Sequence, residues 1–233
     1  MGAIFRREFG AFFTSSIAYI FLGVFWLATG FFFDVCCLEA GTSDLSNLFQ
    51  SMFILCIVLI PVLTMRLFSE EKKQKTEQGL LTAPVSLGEI VFGKYFAAVV
   101  LYTVGLCILF LYALILSAFG TVEWGIVFSN FLALLLLGMA FIAVGTFISS
   151  LTENQIAAFV LTFISLLALY MIDVIQAYVP EKMSNAVRAL SFNTRYIAIT
   201  CGLFNVSTVV FYLSVAVVFN YLTIRVFERR RWS

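Results

Sequence analysis

The chain has 233 residues, 62% of them hydrophobic and 12% charged, with 27 phenylalanines and no histidine. Soluble domains carry about 25% charged residues, so this composition, at a mean hydropathy of +1.05, describes a polytopic membrane protein. A net charge of +1 speaks against a nucleic-acid surface, and without histidine the commonest metal ligand and general base is missing.

Taken in order, residues 1–16 place Phe5, Phe9, Phe12 and Phe13 at helical spacing while Arg6, Arg7 and Glu8 fall off that stripe. The pattern predicts a helix lying in the membrane surface. Two arginines before an apolar run resemble the start of a signal peptide. No small-residue cleavage site closes the run, however, and it is long enough to span, so the segment is expected to remain in the mature protein. Residues 17–38 make a first span, a short acidic loop with Glu39 and Asp44 follows, and residues 48–65 make a second, in which Pro61 predicts a kink.

The next stretch, RLFSEEKKQKTEQGLLTAPVSLGEIVFGK from Arg66 to Lys94, is the only long polar segment between two apolar walls. Its charges demand water or a protein contact rather than lipid. Glu71 with Lys75, and Lys73 with Glu77, are four apart and support a surface helix. Gly79 weakens that helix, and Pro84 sets a turn at residues 82–85. Ser86 followed by Glu89 is a capping box, flanked by Val85 and Ile90 as a hydrophobic staple, so a new helix is expected from Leu87. The bland alternative is a solvated charge run; against it, the charges lead into Leu80, Leu81 and a capped helix rather than a linker.

Residues 90–119 are expected to form a long third span, 120–125 a tight turn and 126–149 a fourth span. Gly138, Gly145 and Ser149 share a face there and allow close helix packing within one subunit. A short return carries Glu153 and Asn154, and residues 156–179 make the fifth span. Residues 180–205 are too apolar for a free loop and too polar for a span; Met183, Val187 and Leu190, then Ile197, Cys201 and Phe204, predict short amphipathic helices that lie on or dip into the bilayer. Residues 206–224 make the sixth span, anchored by Arg225, Arg229, Arg230, Arg231 and Trp232. Asp34 and Asp173, near the outer ends of their spans, are either acids on a substrate path or headgroup-level residues. The cysteines at 36, 37, 56, 107 and 201 fall mostly in apolar runs and read as small buried hydrophobes rather than disulfide or metal partners.

Orientation follows from the basic residues: eleven of the fourteen Lys and Arg fall on the side holding both termini and the polar segment. That side is expected to be cytoplasmic. The three on the other side, Lys182, Arg188 and Arg195, all follow the fifth span.

A surface helix, two spans, a charged S-E-E-K-K…T-E-Q-G-L-L-T-A-P-V-S segment, four more spans and an outer amphipathic segment resemble the ABC-2 family of ABC transporter permeases. Within it the chain is most similar to the gliding-motility and copper-processing permeases of bacteria. The resemblance implies an all-α, six-span subunit of the plasma (inner) membrane, performing no chemistry of its own. It implies a partnership with a second permease subunit, identical or related, and with two cytoplasmic ATPase subunits, and points to export. The coupling helix that enters the ATPase would comprise Ser69, Glu70, Glu71, Lys72, Lys73, Lys75, Thr76, Glu77, Leu80, Leu81 and Pro84, followed by the Ser86 and Glu89 cap. The connecting helix along the membrane would carry Phe5, Arg6, Arg7 and Phe9. ATP and magnesium would bind the partner: the chain has no G-x-x-x-x-G-K-[ST], Gly93-Lys94 being followed by Tyr95. Two other classes stay open from sequence, an ATP-independent membrane scaffold and an intramembrane enzyme. The second is poorly supported, since no acidic pair sits at catalytic spacing inside a span.

Overall fold

A backbone in hydrocarbon has no water to bond, so apolar runs of this length must satisfy their amides internally as helices. The computed structural model describes residues 2–41, 45–75, 86–176, 191–200 and 205–231, and among these all regular structure is helical. Helix α1 spans Gly2–Thr14 and α2 Ser16–Phe33, the latter running on into a wider π turn over Asp34–Leu38. Helix α3 spans Ser46–Thr64, α4 Ser69–Lys73, α5 Leu87–Leu106, α6 Ile108–Ser117 and α7 Trp124–Leu151. Helices α8, α9 and α10 span Gln155–Gln176, Phe192–Thr200 and Val206–Arg231. Six helical stretches among the described residues are long and apolar enough to cross a membrane.

Helix α7 is the hub, packing against α3, α5, α8, α9 and, most extensively, α10. Its hydrophobic window is 67% buried, against 17% for α8 and 22% for α10. The last two therefore turn most of their apolar surface outward, to lipid or another chain. Small residues explain why α7 can be central. A Cβ on Gly138 would lie 2.1 Å from the Tyr102 ring of α5, and one on Gly145 would lie 2.2 Å from Thr64 Oγ1 of α3. Tyr102 donates to the Leu134 carbonyl at 3.0 Å, so the Cys56 thiol, 3.2 Å from the same hydroxyl, is left as the donor of that pair. Three helices thus share one buried junction.

Two expectations about the spans change. The third is not one helix: it breaks at Cys107, whose amide reaches Thr103 and Val104. The Gly105 carbonyl, which the Cys107 amide also reaches, accepts in addition from the Trp26 indole of α2 at 3.2 Å. A cross-helix donor thus supports the backbone at the interruption, which is how one survives in hydrocarbon. The first span ends in a π turn rather than a regular helix. Pro61 sits buried inside α3, and the helix runs through it.

In the segment between the fifth and sixth spans, the described part is α9 with Ser191. Met183, Val187, Leu190, Cys201 and Phe204 lie outside the described residues. Within α9 the buried side chains are Phe192, Tyr196, Ile199 and Thr200, while Ile197, the described member of the expected Ile197, Cys201 and Phe204 stripe, is half-buried. Hydrogen bonding holds the buried face: Tyr196 donates to the Phe49 carbonyl at 2.6 Å, and the Phe192 carbonyl accepts from Tyr212 at 2.8 Å.

Candidate functional site

At the end of the bundle that carries the chain termini, the sequence turns from α1 into α2 through the single residue Ser15. Helix α1 lies against the first turns of α5, with Ile4 close over Gly93, and against the start of α2. Phe5 stacks on Phe9 at 5.8 Å, and Phe9 meets Phe13 edge-on at 5.0 Å, continuing the apolar stripe.

Opposite that stripe the chain builds a charge network. Lys94, two turns into α5 and 2% exposed, places Nζ 3.0 Å from Glu8 of α1 and 3.0 Å from Glu71 of α4. Arg7 closes the circuit, 2.6 Å from Glu8 and 3.2 Å from Glu71. The Phe68 ring lies 5.3 Å from the same ammonium. A buried cation in an apolar helix needs such partners, because removing it from water costs several kcal/mol per ion. Burial opposes the charge of Glu8, but Lys94 and the Arg7 hydrogen bond outweigh it and hold this carboxyl below its ordinary range. Arg7 is held above its ordinary value, chiefly by its hydrogen bond to Glu8.

Helix α4 is fastened at further points. Ser149 of α7 accepts from the amides of Phe68 at 3.1 Å and Ser69 at 3.3 Å, and donates to the Met65 carbonyl at 3.2 Å. It thereby caps in trans two of the amide donors that a helix start leaves open. Lys72 reaches Glu153 of the α7–α8 turn at 3.1 Å, and Phe68 packs on Phe227 of α10, with ring centroids 4.9 Å apart. Arg230 donates to the Ser150 carbonyl at 2.6 Å. A cavity of about 350 Å³ lies between α1, α4 and Lys94.

The structure divides the polar residues singled out from sequence. Ser69 is buried and bonded to the Met65 carbonyl; Glu70 pairs with Arg66; Glu71 and Lys72 turn back onto the chain. Lys73 and Lys75 point outward. The expected pairing of Glu71 with Lys75 does not form, because α4 ends at Lys73 and Lys75 takes a left-handed φ of 57°. Glu71 takes Lys94 and Arg7 instead. Thr76, Glu77, Leu80, Leu81 and Pro84 lie outside the described residues. The capping box forms as expected: the Ser86 hydroxyl accepts from the Glu89 amide at 3.3 Å, and the Glu89 carboxylate accepts from the Ser86 amide at 3.4 Å. Arg6 is exposed on α1. Asp34 is exposed where α2 becomes the π turn, and Asp173 falls in the last turn of α8, its side chain outside the description. Both lie at the far end of the bundle, away from the charge network.

A family model described as ABC-2 family transporter protein matches residues 38–227, well over half of the chain. The chain belongs to the ABC-2 family. No curated protein matches it. As an ABC-2 protein it is a multi-pass membrane transport component that lacks an ATPase site of its own. Glu8, Lys94 and Ser149 of this ABC-2 chain were not singled out as partners of α4 by the sequence reading. A signal was present for one of them: the capping box fixes the start of α5, which puts Lys94 about 10 Å along the helix, as the one charge in the apolar stretch that follows Glu89. A lone cation there calls for a carboxylate.

Proposed function

We propose that this chain is the permease subunit of an ATP-driven exporter, working beside a second permease subunit and driven by two ATPase subunits that hold ATP and magnesium. The polar end is cytoplasmic, in the inner membrane of a bacterium, and the gliding-motility and copper-processing permeases are the branch it resembles. The observation that carries this reading is the fastening of α4 to several spans at once, through Ser149 to α7 and through Glu71 to Lys94 of α5. A solvated charge run has no reason for such anchors. A helix held this way moves as one body with the spans, so a push on its outer face rocks the bundle. Lys73 and Lys75 form that outer face, while Glu71 and Ser69 transmit.

The division gives a sharper test than charge reversal anywhere in the segment. Purified in mild detergent from its host, the protein is expected to bring down a P-loop ATPase. Lys73→Glu with Lys75→Glu is expected to lose that partner while leaving a monodisperse membrane protein, because neither lysine is anchored within the described residues. Arg225→Gln, which removes an exposed positive charge paired only within α10, is the control and is expected to retain it. Equal retention by all three proteins, or no ATPase with the unmodified chain, favours the ATP-independent scaffold.

A further inference from the structure

The cavity beside the charge network is lined by two chemically distinct sets of side chains, the apolar Ala11, Phe12, Ile17 and Leu67 and the polar Arg7, Glu8, Arg66, Glu70, Glu71, Gln74 and Lys94. Ser15, the corner between α1 and the first span, lines it as well. A corner between a surface helix and a span is expected at the level where hydrocarbon gives way to headgroups.

Among the described lining residues the charge is balanced, three carboxylates against three cations, all of them already paired. Arg7 engages its partners through Nε and Nη2, as does Arg66 with Glu70, so the Nη1 edge of each guanidinium makes no contact among the described residues. Guanidinium edges are suited to phosphate oxygens. Glu70, 24% exposed, accepts from Arg66 and from Gln74 at 3.3 Å, and a carboxylate, with about four acceptor sites, can take a further donor there; Glu71, 19% exposed, adds its charge beside it. An anionic headgroup would find no surplus positive charge here. A choline would bring no N–H to the carboxylates and would find, among the described lining residues, one aromatic ring, Phe12, where quaternary amines are held by several. The volume lies at the small end of ligand cavities.

We infer that this cavity binds the phosphoethanolamine headgroup of a membrane phospholipid, phosphate toward Arg7 and Arg66 and ammonium toward Glu70 and Glu71, with the lipid's glycerol end toward Phe12 and Ile17. The inference requires the chain to sit in a bilayer with this end at a membrane surface, and requires no ATPase.

Delipidated protein in detergent, without any ATPase, would be titrated with phosphatidylethanolamine, phosphatidylcholine or phosphatidylglycerol of matched chains, and retention read by native mass spectrometry. Phosphatidylethanolamine is expected to be preferred about tenfold, the effect of one or two charge-assisted hydrogen bonds. Arg66→Gln and Glu70→Gln are each expected to abolish most of that preference while the protein stays monodisperse, and Arg225→Gln to keep it. Soluble glycerophosphoethanolamine at the same concentration is expected not to compete. Equal retention of the three lipids, an unchanged preference in both cavity variants, or effective competition by the soluble headgroup would each overturn the assignment. Exclusion of the lipid by added ATPase in the assembled transporter would show that a protein surface, not a lipid, occupies the cavity.

Discussion

The two ends of this bundle are held by different chemistry. At the end carrying α1 and α4, charges from separate elements meet, Glu8 and Glu71 around Lys94 with Arg7 outside. At the opposite end, neutral hydroxyls clasp carbonyls within aromatic packing: Tyr196 to Phe49, Tyr212 to Phe192, and Thr29 beside Tyr112, whose ring stacks on Phe33 at 4.5 Å. A charge can exchange its partner for water or for another charge when an element moves, whereas a buried tyrosine hydroxyl has nowhere else to go. On the function proposed above, the charged end is the part that receives the push on α4 and carries it into the spans, and the aromatic end is the part that holds its packing.

The largest effect is expected from Lys94→Met. It removes the buried cation between Glu8 and Glu71 and leaves both carboxylates to the more exposed Arg7; breaking a buried pair costs about 3–5 kcal/mol, and the remaining Arg7 contacts place the loss toward the lower figure. Thermal unfolding in nanodiscs should fall accordingly, and amide exchange in α1 should rise more than in α9. Neutralising the acids as well, with Glu8→Gln and Glu71→Gln, is expected to recover much of the loss. If the triple variant is no more stable than Lys94→Met alone, the network is not what holds α1 and α4.

Tyr196→Phe tests the other end. It removes the donor to the Phe49 carbonyl in a fully buried setting and is expected to cost about 1–3 kcal/mol. On the function proposed above, with the ATPase acting at the charged end, ATP turnover per folded complex should hardly change, in contrast to Lys94→Met. Equal loss of turnover in the two variants would erase the distinction between the ends. Ser149→Ala lies between them in kind, a neutral group at the charged end. It is expected to cost about 1–2 kcal/mol by uncapping α4 and to lower turnover more than stability, as measured on the same preparations.

How far these ends could be read from sequence differs too, and for a physical reason. Apolar runs and the Ser86–Glu89 box are local signals, so six spanning helices and the start of α5 were legible. The break at Cys107 was not, since it depends on an indole arriving from Trp26 in another helix. The same holds for the network. Local spacing pairs Glu71 with Lys75; the fold pairs Glu71 with a lysine 23 positions on and an arginine 64 positions back. Charges in water follow the chain, and buried charges follow the packing. Glu8, which looked like part of a free polar face, is 13% exposed once α1 lies on α5.

The smallest expected effect is a pH dependence at Glu8. Its carboxyl is held below the ordinary value of 4.5, mainly by Lys94 and Arg7 acting against burial, with Glu71 sharing the same cations. A group depressed in the folded state contributes stability that is fully present above its unfolded value and is lost as pH falls through the folded one. The stability difference between the unmodified chain and Glu8→Gln should therefore be flat from neutral pH down to about 5, and shrink only on further acidification. The measurement is the difference in midpoint between the two proteins in the same nanodiscs across that range, which cancels the titration of groups common to both. A difference that already shrinks near neutral pH would mean that Glu8 is raised rather than depressed, with burial winning over Lys94; the charged end would then be held by fewer ion pairs than the geometry shows, and its contrast with the aromatic end would narrow.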